Sequence, residues 1–225
     1  MKTMATNPLP TDPTLDEIRE ALAPRLASHA AFDGWNDKAA ASAAGELGVD
    51  ADIAILAFKG GPMALIDAWI ASVDAEMARR LPPEKLNAIK IRERITALLW
   101  TRLQIAAPDK EGQRRAIAVL AMPQNIAAAT RIGWRSADRM WRLAGDTATD
   151  FNHYTKRATL SAVYASTLAA FVNDDSEDHA ETRAFLDRRI DNVMQFEKVK
   201  AQARVRREQI PSLSRFIGRL RYPPR

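Results

Sequence analysis

FDGWNDKAAASAAGELGVDADIAILAFKGGP, residues 32–62, decides the architecture. An alanine-rich helix over about 36–46 runs into the turn Leu47-Gly48-Val49, and a shorter apolar helix follows over about 51–58. Glycine suits the tight turn between two crossing helices, the helix-turn-helix arrangement. The element that would enter a DNA groove reads VDADIAILAF. A groove-reading helix needs Arg, Lys, Asn, Gln or hydroxyl side chains, whereas this one offers Asp50, Asp52 and apolar groups. Two carboxylates repel phosphate, so no nucleic-acid partner is expected.

Working outward, helical periodicity recurs with breaks at glycine, proline and capping residues. One helix is expected from Leu15, behind Thr14, to Ala31, with Ile18, Leu22 and Leu26 on one face. Another opens at Pro62 and reaches Arg80. Segments 84–106, 111–122, 124–143, 148–172, 177–201 and 210–221 complete an all-α chain of about nine or ten helices. Nine glycines and twelve prolines in 225 residues, with abundant alanine and 47% hydrophobic residues, fit that class. No apolar run approaches the ~20 residues of a membrane span. The first fourteen residues resemble neither a secretory nor a transit signal.

Catalytic chemistry finds few footholds. No cysteine is present. The three histidines, His29, His153 and His179, lie in no metal-ligand spacing, so neither a metal nor a cofactor is called for. Nucleophile-elbow, phosphate-loop and dinucleotide fingerprints are missing. Asp174, Asp175 and Asp178 spell the Asp-Asp-x-x-Asp with which isoprenoid synthases hold magnesium diphosphate. No second acidic cluster partners it, and an acidic loop before a helix N-terminus explains it as well.

The densest polar stretch is DTATDFNHYTKR, residues 146–157. On a helix beginning near Thr147 or Ala148, Asp150, His153, Tyr154 and Arg157 share one face, at an angle to the apolar stripe Leu160, Val163, Tyr164, Thr167, Leu168 and Phe171. That face is expected to point outward. With Met140 and Trp141 on the preceding helix it has the composition of a protein docking surface. The alternative is local: Asp146 caps the helix, and Asp150 pairs with Arg157 or Lys156.

The first sixty residues resemble the N-terminal part of TetR-type regulators, on Phe32-Asp33-Gly34-Trp35, the turn at Gly48 and Phe58. Bundles of that kind surround an apolar cavity, for which Leu98, Leu99, Ile117, Leu120, Ile126 and Val163 are the candidate lining residues on the helices from 84 onward. Met140-Trp141, Ala144-Gly145-Asp146, Thr149-Asp150-Phe151-Asn152 and Tyr154-Thr155-Lys156-Arg157 resemble the signature of the coenzyme Q biosynthesis protein nine family. The likeness extends through Gly60-Gly61-Pro62, Met122-Pro123-Gln124-Asn125 and Phe185-Leu186-Asp187-Arg188-Arg189-Ile190. It implies a non-catalytic, TetR-like protein that binds an isoprenoid quinone precursor or phospholipid and presents precursors to a membrane-associated hydroxylase of the ubiquinone pathway. It also implies that Met140, Trp141, Asp150, His153, Tyr154 and Arg157 form the partner-binding surface. One departure is His153, where the family usually has tryptophan; imidazole is smaller and titrates near neutral pH.

Charge is distributed unevenly. The net charge is +5, yet residues 1–60 hold five bases against nine acids, and residues 188–225 eleven bases against three. In IPSLSRFIGRLRYPPR, residues 210–225, Leu213, Phe216, Ile217 and Leu220 form an apolar stripe and Arg215 and Arg219 lie toward the other side. That is a short basic amphipathic helix suited to a membrane surface, where each cation contributes about 1 kcal/mol.

The expected organisation is a flexible start over 1–14, a helix-turn-helix-like subdomain over 15–80, a lipid-binding bundle over 81–201, and a linker with the membrane-binding helix over 202–225. A homodimer is expected. The expected location is the cytoplasmic face of a bacterial inner membrane, or the mitochondrial matrix side in a eukaryote. The competing readings are a TetR-type transcription regulator with an apolar effector, and an isoprenoid-processing enzyme using Asp174, Asp175 and Asp178.

Overall fold

The computed structural model describes residues 9–147, 149 and 151–209, with side chains for all of these except Phe151 and residues 196–209. The described residues form eleven α-helices joined by short 3-10 turns, and no strand. The chain divides into two units, Met1–Leu186 and Asp187–Arg225; the cavity, the aromatic cluster and the buried ion pairs described below lie in the first.

Local chemistry sets the first boundaries. Thr14 and Glu17 cap each other's backbone N–H groups to open α1, Leu15–Leu22. Pro24 cannot continue an α-helical ladder, so a 3-10 turn separates α1 from α2, Leu26–Asp33, where one continuous helix was expected. Asn36 caps α3, Asp37–Leu47, and Gly48 ends it in the left-handed conformation (φ 65°) that glycine adopts without a Cβ penalty. Asp50 then caps α4, Ala51–Ala57, accepting from Asp52 N at 2.9 Å and Ile53 N at 3.2 Å. At the other end of α4, Arg19 donates to the Ala57 carbonyl from Nε and Nη2, at 2.9 and 2.6 Å.

The bundle begins with α5, Pro62–Arg80, and a single turn, α6, Pro83–Asn87. The helix expected over 84–106 is thus split, and α7 spans Ile91–Ala106. Next come α8, Lys110–Leu120, α9, Ile126–Leu143, α10, Phe151–Phe171, and α11, Ala180–Gln209. Prolines 108 and 123 mark the turns on either side of α8.

The head, α1–α4, presses most closely on the bundle that begins at α5 where α2 meets α8. A Cβ on Gly112 of α8 would lie 2.1 Å from the Ala27 carbonyl oxygen of α2, so only glycine lets the two backbones approach this closely. Trp35 donates its indole N–H to the Gly112 carbonyl at 2.9 Å and packs on Trp69 of α5, with ring centroids 5.4 Å apart.

Candidate functional site

Two features stand side by side on α9 and α10: an internal cavity and an outward aromatic cluster. The cavity, about 160 Å³, is enclosed by α5, α7, α8, α9 and α10. Its inner residues Val73, Arg102, Ala106, Gln113, Ser136 and Met140 are buried, whereas Ile117, Leu120, Ala129, Gly133, Ser161, Ala165 and Leu168 retain exposure. The cavity therefore opens between α8, α9 and α10. Small residues at Ala129, Gly133 and Ala165 keep that mouth clear, and a Cβ on Gly133 would meet no atom within 4 Å.

Two of the six expected lining residues, Ile117 and Leu120, face this cavity. Leu98 and Leu99 are wholly buried in the packing of α7; Leu98 lies on the same stripe as Arg102 and Ala106, one turn before the cavity begins. Val163 is buried beside the lining residue Tyr164 but takes no part in the wall. Ile126, expected inside, is 55% exposed: it opens α9 at the α8–α9 corner, next to exposed Met122. The wall also reaches beyond the helices from 84 onward, because α5 supplies Trp69, Ile70 and Val73.

Within this mostly apolar enclosure lies a polar group that the sequence reading did not single out. Arg102 Nε donates to Asp74 Oδ1 at 2.7 Å, its Nη2 donates to Ser136 Oγ at 3.3 Å, and Ser136 donates to Asp74 Oδ2 at 2.6 Å. The guanidinium lies 4.3 Å from the Tyr164 ring centroid, a cation–π distance. Burial alone would lower the Arg102 pKa, but Asp74 outweighs it and holds the group above its ordinary value. Burial likewise pushes the Tyr164 hydroxyl up. A charged residue on the apolar stripe Leu98, Arg102, Ala106 was the available sequence signal, but its partner stands 28 residues away on another helix.

The face expected to point outward is divided. Arg157, placed on the surface by the sequence reading, is 2% exposed. Its Nε donates to Asp138 Oδ1 at 2.6 Å, and its Nη1 donates to Asp146 Oδ2 at 3.2 Å and to the His153 carbonyl at 3.1 Å. Lys156 Nζ reaches the other Asp146 oxygen at 2.6 Å, and the Trp141 indole donates to the Lys156 carbonyl at 3.0 Å. Burial would raise the Asp138 pKa, but hydrogen bonds from Arg157 and Arg142 prevail and hold it below the usual carboxylate range. Met140, also expected outside, is buried and lines the cavity. Helical geometry accounts for both corrections: Arg157 precedes Leu160 and Ser161 by three and four residues and so continues the face turned toward α9, and Met140 follows Ser136 by four and so stays on the cavity side of α9.

Tyr154 does face outward, at 61% exposure. It forms a trio with half-buried Trp134 and His153, with ring centroids 6.0 Å (Trp134–Tyr154), 6.4 Å (Trp134–His153) and 5.1 Å (His153–Tyr154) apart. Trp134 is the member the sequence reading missed. Asp150 and the membrane-binding candidates Leu213, Arg215, Phe216, Ile217, Arg219 and Leu220 lie outside the described residues, as do residues 1–8.

The acidic run 174–178 serves the start of a helix. Asp174 is buried and accepts from Ser176 N and Oγ and from Thr182 N and Oγ1, at 2.5–2.9 Å. Burial alone would raise its pKa, but these four donors drive it far below the usual carboxylate range. With both oxygens engaged in this way, the cluster is explained without a diphosphate ligand. Among the described residues, no group of three His, Cys, Asp or Glu side chains is placed to hold a metal.

The stretch carrying the cavity's outer wall and the aromatic trio also carries the match to known proteins. Residues 126–197 match the COQ9 family model. The chain is 33% identical over 168 residues to the human "Ubiquinone biosynthesis protein COQ9, mitochondrial", and 31% identical over 134 residues to the "Probable ubiquinone biosynthesis protein coq9, mitochondrial" of Dictyostelium discoideum. This chain is homologous to COQ9 proteins over these stretches. The human alignment covers 72% of this chain and 52% of the relative, so the chain spans about half the length of that COQ9 protein; the Dictyostelium alignment covers 60% and 43%. A crystal structure of a TetR transcriptional regulator from Nitrosomonas europaea shares the fold, with a TM-score of 0.59 and 24% identity over 80% of this chain and 97% of the regulator. The COQ9 homologue thus has a TetR-like fold. Its α4, in the position of a groove-reading helix, instead exposes Ile53 and Leu56.

Proposed function

We propose that this COQ9 homologue is a non-catalytic accessory protein of ubiquinone biosynthesis, which holds an isoprenoid quinone precursor and presents it to a membrane-associated hydroxylase. One observation carries the reading. The segment matching the COQ9 family contains the α9 and α10 sides of the mouth of an apolar cavity and, on the same two helices, an aromatic cluster headed by exposed Tyr154.

The size of the cavity limits how the guest is held. Drug-sized pockets measure ~300–1,000 Å³, whereas an apolar cavity of ~150 Å³ accepts one benzene. The 160 Å³ here takes one ring or one branched five-carbon unit, not a coiled polyprenyl tail. The rest of the tail then leaves through the mouth between α8, α9 and α10 and runs toward exposed Met122 and Ile126. Burying about five carbons contributes roughly 4 kcal/mol at ~0.8 kcal/mol per methylene. So weak a hold suits a carrier that must release its cargo.

Tyr154, with Trp134 and His153, supplies the docking surface. Trp141 supports it from the α9–α10 junction, and the arginines and apolar residues of 213–220 supply membrane contact. No described helix is by itself long and apolar enough to cross a membrane. The test is extraction and mass spectrometry of lipid from the full chain after purification. An isoprenoid quinone or its precursor should be recovered; repeatedly lipid-free protein overturns the reading.

A further inference from the structure

Among the described residues, Gln113 is the one cavity-lining side chain with a buried hydrogen-bonding atom left over. It sits on α8 at 2% exposure, and its Oε1 has no hydrogen-bond partner among the described residues. Native proteins pair such acceptors, with protein, water or ligand, because leaving one unmade is costly. The other buried polar groups at the cavity are already engaged. Asp74 neutralises Arg102, Ser136 bridges the two, and Tyr164 packs on the guanidinium.

Three classes of guest can be compared against that lining. A plain hydrocarbon fills the volume but leaves Gln113 Oε1 unpaired. A carboxylate brings a charge to an arginine already neutralised by Asp74 and sets its lone pairs against the Gln113 oxygen, and a buried unpaired charge is heavily penalised. A neutral hydroxyl on a ring satisfies the acceptor and buries its carbon against Trp69, Ile117 and Leu120. A hydroxyl also answers either orientation of the Gln113 amide, because it both donates and accepts.

We propose that the cavity is a ring-sized subsite for a neutral phenol-like group, whose hydroxyl donates to Gln113 Oε1 while its ring lies on the apolar wall. The inference rests on reading this cavity as the ligand chamber, and it deepens that reading: the ring end of the guest enters, and the tail trails through the mouth.

The test is calorimetric titration of the full, delipidated chain with phenol, benzene and benzoate at neutral pH. Phenol should bind at least tenfold more tightly than benzene, and benzoate more weakly than both. Gln113→Leu should remove the phenol advantage and leave benzene binding unchanged or tighter. Gln113→Met serves as the second variant should the branched side chain pack poorly. Equal affinity for phenol and benzene, phenol binding untouched by either substitution, or no binding of any ring overturns the proposal. Lipid extraction separates the two readings. An isoprenoid recovered from a protein with no phenol preference leaves the carrier standing and removes the head-first subsite. Phenol preference in a protein that never yields isoprenoid lipid does the reverse.

Discussion

Arg157 and Asp138 meet at 2.6 Å across the α9–α10 junction, with the arginine at 2% exposure and Asp146 completing its coordination. Removing one partner of a buried ion pair costs up to about 3–5 kcal/mol, and because Arg142 stays on Asp138 and Lys156 on Asp146 the loss here falls toward the lower end of that range. Arg157→Ala should therefore lower the denaturant midpoint strongly in equilibrium unfolding. A midpoint near that of the parent would show that the pair contributes little.

Tyr154→Ala should behave in the opposite way. The side chain is mostly exposed and its partners are rings on the same surface, so stability should change by less than about 0.5 kcal/mol. Capture of the proposed hydroxylase partner by the immobilised chain should fall at least tenfold. Capture at the parental level would move the docking surface elsewhere.

Gly133 offers a way to close the cavity without disturbing the core. Space is open where its Cβ would be, and replacing a mid-helix glycine recovers up to about 1 kcal/mol of helix propensity. Gly133→Leu is expected to keep or raise the melting temperature while reducing co-purifying lipid. Undiminished lipid in a well-folded variant would place the guest outside this cavity.

Gly112→Ala tests the seam between head and bundle. The added methyl would lie 2.1 Å from the Ala27 carbonyl oxygen, and forcing such overpacking costs about 1–3 kcal/mol. Thermal unfolding should show a clear loss for Gly112→Ala and none for Gly45→Ala, where a Cβ meets nothing within 4 Å.

Acid sensitivity follows from Asp138 and Asp174, both held below the usual carboxylate range. The folded state then binds fewer protons than the unfolded state. Their stabilisation is fully present above the unfolded value of about 3.9 and disappears as pH falls through the lower folded values. The melting temperature should hold from pH 7 to about 5 and drop below about 4. Asp174→Asn should melt lower at neutral pH and show a shallower acid slope; a slope as steep as the parent's would remove Asp174 from the account.

Much of the fold was legible because local signals agree with it. Gly48, Asn36, Asp50 and Pro62 mark helix ends where their backbone chemistry requires, and the apolar stripes gave the buried faces. Pro24 was the missed breaker, visible in the sequence but read through. The site was harder to read. Periodicity gives the angle of a side chain around its helix but not its depth along the axis, so Leu98 shares a stripe with Arg102 yet stops short of the cavity. Nor does it find partners across helices: Asp74 for Arg102 and Asp138 for Arg157 decided which charges turned inward.

Gly112 and Gln113 are neighbours along the chain, yet one holds the seam with the head while the other borders the cavity. Occupancy of the cavity and the attitude of the head are one peptide bond apart. The head exposes Ile53 and Leu56 on α4, so any movement passed along this short lever reaches a greasy surface patch.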